Sequence, residues 1–287
     1  MNINQLLKDI SSRLSSVSAE GQREAQLILS HLLACKISEL WLYEALPEEK
    51  LPLLDAIIAG RLQREPLQYL LGEEDFMSLT FTVDHHVLIP RGDSERVVER
   101  GIDLLKDQPR PLIADICCGS GAMAVSLAYY LPQALVYGVD ISWEALLIAQ
   151  KNAARYALQG RVKFLQGDLL APLAACREKF SLLISNPPYI PRQEIAYLAE
   201  EVQKEPLLAL DGGDDGLAFY RRLALEAGSY LQQDGYLLLE TGYNQKDDIC
   251  SLLEEANWRI IETIKDYGGN HRGIIAQNYY WQKDSGI

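Results

Sequence analysis

What the chain has little of narrows it first. No apolar stretch approaches the roughly 20 consecutive residues that a helix needs to cross a bilayer. The opening segment MNINQLLKDI lacks the basic-then-apolar pattern of a secretory signal. Cys35, Cys117, Cys118, Cys176 and Cys250 are odd in number and contain no C-x-x-C pair, which argues against a disulfide framework or a cysteine-rich zinc site. His31, His85, His86 and His271 are scattered or adjacent, without metal-ligand spacing. Basic charge is short as well, with 27 Lys and Arg against 40 Asp and Glu and a formal net charge of −13. Such a surface repels phosphate backbones and disfavours stable nucleic-acid binding. Together these absences predict a reduced, cytoplasmic protein with no membrane partner and no metal.

What is present is ample apolar material, 48% of 287 residues, enough for one large domain or two smaller ones. The first 70 or so residues read as a small helical bundle. Ser18 offers a cap to a helix with Ala25, Ile28, Leu29, Leu32 and Leu33 on one face, and Leu54, Ile57, Ile58 and Leu62 repeat in another. At FMSLTFTVDHHVLIP the period changes to two. Phe76, Leu79 and Phe81 precede a turn near Asp84, with Val87 and Ile89 beyond it, so a β-hairpin is predicted there. Asp93 or Ser94 would cap the next helix.

From Pro111 strands and helices alternate. LIADIC, ALVYGVD, VKFLQGD, FSLLISN and GYLLLET read as strands, with helices over 121–131, 142–158, 217–231 and 244–256 between and after them. The end, RIIETIKDYGGNHRGIIAQNYYW, reads as two strands around a Gly-Gly turn. The fold class is therefore α/β: a mostly parallel seven-stranded sheet covered on both faces, its last strand antiparallel.

Three strand ends carry the chemistry of a cofactor site. The first strand delivers Asp115-Ile116-Cys117-Cys118-Gly119-Ser120-Gly121 into a helix, where glycine lets backbone approach a ligand closely. The second ends on Asp140, about 20 residues after the glycines, the place of a ribose-binding acid. The third ends on Gly167-Asp168-Leu169. A dinucleotide site requires G-x-G-x-x-G, which CCGSGA does not supply. S-adenosylmethionine fits better. It has no phosphates, and Asp115 is placed to meet its α-ammonium.

The fourth strand stops on Asn186-Pro187-Pro188-Tyr189. Two prolines cannot continue a sheet ladder, since neither has an N–H to donate. The rigid corner suits a planar nitrogen. The Asn186 side-chain oxygen and the Pro187 carbonyl could accept its two hydrogens, leaving the lone pair aimed at a methyl group. Tyr189 can pack against the flat group. These residues alone do not separate a glutamine amide from an adenine N6 or guanine N2 amine in DNA or RNA. An inactive cofactor-binding module also stays open.

The order Asp-x-x-x-Gly-x-Gly, Asp140, Asp168, Asn-Pro-Pro-Tyr resembles class I S-adenosylmethionine-dependent methyltransferases with a Rossmann-like sheet. REPLQYLLGEEDFMSLTFTVDHHVLIPRGDSERVVE, EPLLALDGGDDGLAFYRRL and KDYGGNHRGIIAQ narrow the resemblance to the PrmC/HemK family of peptide chain release factor glutamine methyltransferases. It covers essentially the whole chain. It implies a helical substrate-recognition domain over 1–73, a β-hairpin linker over 74–92 and a methyltransferase domain over 93–287. The substrate it implies is the Gly-Gly-Gln glutamine of class 1 release factors, methylated on N5. Carried over, Cys117 to Gly121 line the cofactor, Asp140 takes its ribose, and Leu169 beside Asp168 sits by the adenine. Asn186 to Tyr189 hold the glutamine amide, and Asn186 also meets the cofactor. Two positions depart from the family. Cys117 stands where glycine is usual, which costs of order 1 kcal/mol or more if φ is positive there. Pro90-Arg91-Gly92-Asp93-Ser94-Glu95 replaces the usual Pro-Arg-Pro-(Glu/Asp)-Thr-Glu, so Gly92 should loosen the link while Ser94 keeps a capping oxygen.

Overall fold

The computed structural model describes residues 2–278; Tyr279, Tyr280 and Trp281, which the sequence reading put in the last strand, lie outside them. Two compact units emerge. One gathers Ala199–Lys204 with the residues up to Glu73, and the other runs from Glu74 to Leu198 and from Glu205 onward.

The first unit is helical: α1 (Ile3–Leu14), α2 (Gly21–Leu33), α3 (Leu51–Leu62) and α4 (Leu67–Leu71). Apolar residues at helical spacing meet in one core, with Ile10, Leu14, Ile28, Leu29 and Ile58 sealed from solvent. Asn2 caps α1, its side chain accepting from Asn4 N at 2.8 Å. Ser18 does not cap α2. That helix starts at Gly21 with Glu20 at the cap and no side-chain bond, and Ser18 Oγ accepts from Glu20 N at 3.0 Å instead. Gly21 sits where a Cβ would come 2.9 Å from the Ser11 carbonyl oxygen, so the close approach of α1 and α2 depends on it. The buried Arg61 guanidinium donates to both oxygens of Glu24, at 2.9 and 3.2 Å, and to Glu201 at 2.9 Å.

The second unit opens with the hairpin β1 (Glu73–Phe76) and β2 (Leu79–Thr82). Its turn is Met77–Ser78, with φ of 52° and 58°, not the segment near Asp84. Two left-handed central residues match the right-handed twist of a hairpin. Val87 and Ile89 lie in an irregular, buried stretch, not a strand. Helix α5 (Gly92–Leu105) follows. Neither Asp93 nor Ser94 caps it, because Arg91 holds the cap position; Ser94 lies inside the first turn and its hydroxyl bonds Glu240.

Then come β3 (Leu112–Ile116), α6 (Ala122–Tyr130), β4 (Leu135–Asp140), α7 (Trp143–Arg155), β5 (Val162–Gln166) and β6 (Phe180–Ser185). After them run α8 (Leu207–Leu210), α9 (Ala218–Glu226), β7 (Leu231–Glu240), α10 (Lys246–Glu255), β8 (Trp258–Lys265) and β9 (His271–Asn278). Seven strands form one sheet in the order β5-β4-β3-β6-β7-β9-β8, parallel except for β9, which runs antiparallel to both neighbours. The expected α/β sheet with an antiparallel last strand is thus observed. Strands β3 and β6, buried along their full length, need apolar residues on both faces, and separate cores pack on either side. One element is longer than expected. Strand β7 begins at Leu231, where helix was predicted, and its register shifts opposite Phe180 and Leu182.

Candidate active site

The strand order reverses at β3. The chain steps from β3 outward through β4 to β5, then returns to lay β6 on the other side of β3. Ligands of open parallel sheets bind at the carboxyl ends of strands at such a switch point. Here Ile116 pairs with Ser185, and Ser185 Oγ donates to the Ile116 carbonyl at 2.7 Å. The residues that follow, Cys117 and Asn186, therefore leave the sheet side by side.

They open into a cavity of about 520 Å³, within the size of small-molecule sites. Asp115, Cys117, Cys118, Gly119 and Ser120 line it from the β3–α6 turn. Asp140, Asp168 and Leu169 line it from the ends of β4 and β5, and Asn186 and Pro188 from the end of β6. Gly121, Pro187 and Tyr189 lie outside the lining. Gly121 instead seats α6 against α7, where a Cβ would come 2.9 Å from that of Ala149.

The turn after β3 is held from two sides. Gly119 N donates to Asp140 Oδ2 at 2.8 Å, and Ser142 N to Asp140 Oδ1 at 2.9 Å. A carboxylate offers about four lone-pair sites, so Asp140 keeps capacity for ligand hydroxyls. Burial raises its pKa, against the pull of those backbone donors. Asn152, fully buried on α7, donates to the Ser120 carbonyl at 2.9 Å. Cys117 adopts φ 60°, the left-handed region favoured by glycine. Burial and the nearby carboxylates of Asp140 and Asp115 push its thiol well above the ordinary value, so it stays protonated.

Asp115 is nearly sealed from solvent. One oxygen accepts from Ala124 N at 2.9 Å; the other, Oδ1, has no hydrogen-bond partner among the described residues. Desolvation pushes the carboxyl up to about 8. A buried carboxyl oxygen left over on a cavity wall asks for a ligand donor.

The corner after β6 is clamped from outside. Ile190 N donates to the Leu210 carbonyl at 3.0 Å, Gly212 N to the Ile190 carbonyl at 2.9 Å, and Arg192 N to the Gly213 carbonyl at 2.9 Å. Gln245 Nε2 holds the Tyr189 carbonyl at 2.9 Å. Gly212 has to be glycine for this clamp, since a Cβ there would lie 2.7 Å from Tyr189 Cα. The Asn186 side chain makes no hydrogen bond among the described residues. The Tyr189 phenol is pushed up to about 12, first by burial and then by Glu240, so it stays neutral.

Further lining residues had no catalytic signature in the sequence. Arg91, His85 and His86 come from the stretch before α5, Leu208 from α8, and Phe219 and Arg222 from α9. The buried Glu205 accepts from Ile89 N at 3.1 Å and pairs with Arg91, fixing the strip of wall before α5.

Comparison with known proteins bears on what the cavity serves. Residues 101–213 match the model of the methyltransferase small domain, and residues 5–72 that of the PrmC N-terminal domain. The chain is 42% identical over 282 residues to the release factor glutamine methyltransferase of Moorella thermoacetica, covering 96% of this chain and 98% of that one. The chain belongs to the release factor glutamine methyltransferase family. The Geobacter sulfurreducens member is 38% identical over 266 residues, covering 90% and 91% of the two chains, and the Vibrio cholerae member 35% over 280, covering 96% and 97%. Among solved structures, the hMettl16 catalytic domain in complex with MAT2A 3'UTR hairpin 6 aligns with a TM-score of 0.59 at 18% identity, covering 78% of this chain and 82% of that one. A methyltransferase from Pyrococcus furiosus aligns with a TM-score of 0.51 at 18% identity, covering 76% and 95%. At such identity what these structures share with the family member described here is the fold.

Proposed function

We propose that the protein transfers a methyl group from S-adenosylmethionine to the side-chain amide nitrogen (N5) of the glutamine in the Gly-Gly-Gln loop of class 1 peptide chain release factors, in the cytoplasm. The observation that carries this is full-length likeness to relatives named for that activity, joined to a switch-point cavity whose walls fit the cofactor. The unpartnered Asp115 Oδ1 supports the fit, as do the three carboxylates at successive strand ends and the lack of a phosphate-binding G-x-G-x-x-G. The cofactor supplies an electrophilic methyl on a sulfonium. Asp115 takes its α-ammonium, Asp140 its ribose hydroxyls, and Asp168 with Leu169 its adenine, while Cys117 to Gly121 shape the backbone around it.

Asn186 and the Pro187 carbonyl accept the two amide hydrogens of the glutamine, which orients the nitrogen lone pair toward the methyl. Pro187 and Pro188 fix the corner before substrate arrives, so little ordering entropy is lost on binding. Tyr189 packs on the flat amide as a neutral phenol. The nitrogen becomes acidic only as it gains the methyl, so no strong base is needed beforehand, and the one proton it then sheds passes to solvent. The helical segment 1–73 grips the protein substrate, 74–92 links it, and 93–287 performs transfer.

The test offers release factor, tRNA and DNA side by side with labelled cofactor. One added methyl on the Gly-Gly-Gln glutamine, read by peptide mass spectrometry, is expected. No modification of that residue by cofactor-loaded protein would sink the assignment. Asn186→Ala should lower kcat by roughly 10²-fold or more, as loss of a positioning contact does, with the fold little changed and any rise in cofactor Kd smaller than the fall in kcat. Near-normal turnover in that variant would remove Asn186 from its role.

A further inference from the structure

We propose that Arg222 is a positioning residue for the adenine end of the cofactor site, holding the Asp168 carboxylate in the orientation that accepts the exocyclic amine. The proposal rests on the S-adenosylmethionine reading above. Its observation is a two-bond fork: Arg222 Nη1 donates to Asp168 Oδ1 at 2.9 Å and Nη2 to Oδ2 at 2.8 Å. Paired donors to both oxygens fix the plane of a carboxylate as well as its place. Helix α9 carries Arg222 to the cavity together with Phe219, three residues earlier on the same face.

Asp168 itself sits in a tight turn, with Leu169 at φ 47°, so its backbone is already set and the side chain is the loose part. About half of each side chain is exposed, 42% for Arg222 and 53% for Asp168. A pair so exposed adds little to stability, so its value lies in orientation. The fork occupies one lone-pair site on each oxygen and leaves the others for a ligand donor. Charge points the same way. Asp115, Asp140 and Asp168 all line one cavity, and Arg222 offsets the acid at its outer end. Among the described residues Arg222 also meets Glu226, four residues on along the same helix, with Nε 3.8 Å from its carboxylate.

A double-mutant cycle tests this by calorimetry with S-adenosylmethionine and S-adenosylhomocysteine. Arg222→Met should raise Kd for both about three- to tenfold, and Asp168→Asn at least as much, while the double variant should be no weaker than Asp168→Asn alone. Arg222→Lys, a point charge without the fork, should recover only part of the loss. In turnover, KM for the cofactor should rise in Arg222→Met by more than kcat falls. Raising salt should weaken cofactor binding in the parent protein and much less in Arg222→Met, because the exposed pair is screened. Additive losses in the cycle, or an unchanged Kd in Arg222→Met beside a weakened Asp168→Asn, would overturn the role of Arg222 alone. If Asp168→Asn leaves Kd unchanged, the adenine assignment of Asp168 fails with it.

Discussion

Cys117 carries a side chain at φ 60°, a conformation that costs a residue with a Cβ about 1–2 kcal/mol relative to glycine. Cys117→Ala removes the thiol and keeps the strain; Cys117→Gly removes both. The glycine variant should therefore be the more stable of the two by about 1 kcal/mol in denaturant melts. Equal stability would mean that the turn relaxes around a side chain at no cost. Asp115 gives a second test. A carboxyl raised to about 8 holds its proton in the folded protein at neutral pH. Its contribution to stability is full below the ordinary value of about 4 and is lost as pH climbs through about 8. Binding an ammonium requires the ionised form, so cofactor affinity should rise with pH by up to about tenfold per unit below 8. It should turn over once the ligand α-amino group, near 8, loses its own proton. Asp115→Asn should flatten the rising limb measured by calorimetry; an unaltered limb would place the titration elsewhere. The gathering of Asp115, Asp140, Asp168 and Asn186 was legible, because each stands at the end of a strand readable in the sequence and parallel strands end at one sheet edge. Arg222 was not, since an arginine on a helix face looks the same whether it meets solvent or a carboxylate 54 residues away.

At the scale of elements, the seven strands were readable because β3 and β6 are apolar on both faces and turns punctuate the rest. The hairpin turn was misplaced for a physical reason. Met77 and Ser78 both adopt positive φ, yet neither is the Asn or Gly that advertises such a turn. Ser18 and Ser94 misled as caps because a hydroxyl can serve a cap, a turn or a distant carboxylate with equal chemistry. The end of α9 was overrun because Leu231 keeps the helical spacing of apolar residues although it already belongs to β7. Glu205 shows how one acid can organise an irregular stretch. Its side chain is 2% exposed and binds both Ile89 N–H and Arg91. Glu205→Ala strands a buried donor and should cost about 2–3 kcal/mol, lowering Tm by roughly 5–10 °C. Glu205→Gln keeps an acceptor for Ile89 N–H and should lose markedly less in the same thermal melt. Equal losses would show that the charge on Arg91, not the backbone donor, is what Glu205 serves.

Across the whole molecule, the fold leaves the acceptor open, since sheets of this kind carry many chemistries, and charge is what discriminates. The balance is 27 basic against 40 acidic side chains. Many of the cations are already engaged: Arg61, Arg91, Arg100, Arg221, Arg222 and Arg272 each pair with a carboxylate. A nucleic acid bound here would have to release those pairs or do without them, and either course forfeits the counterion release that drives such binding. Titrating tRNA and duplex DNA from about 50 to 200 mM salt should therefore give weak binding with a log–log slope shallower than about −2, where several phosphate contacts would give −5 or steeper. Methyl transfer to the release factor glutamine should survive a large excess of either competitor. A steep salt slope, or competition by tRNA at concentrations below that of the release factor, would mean that a cationic track exists on a face where the net charge argues against one.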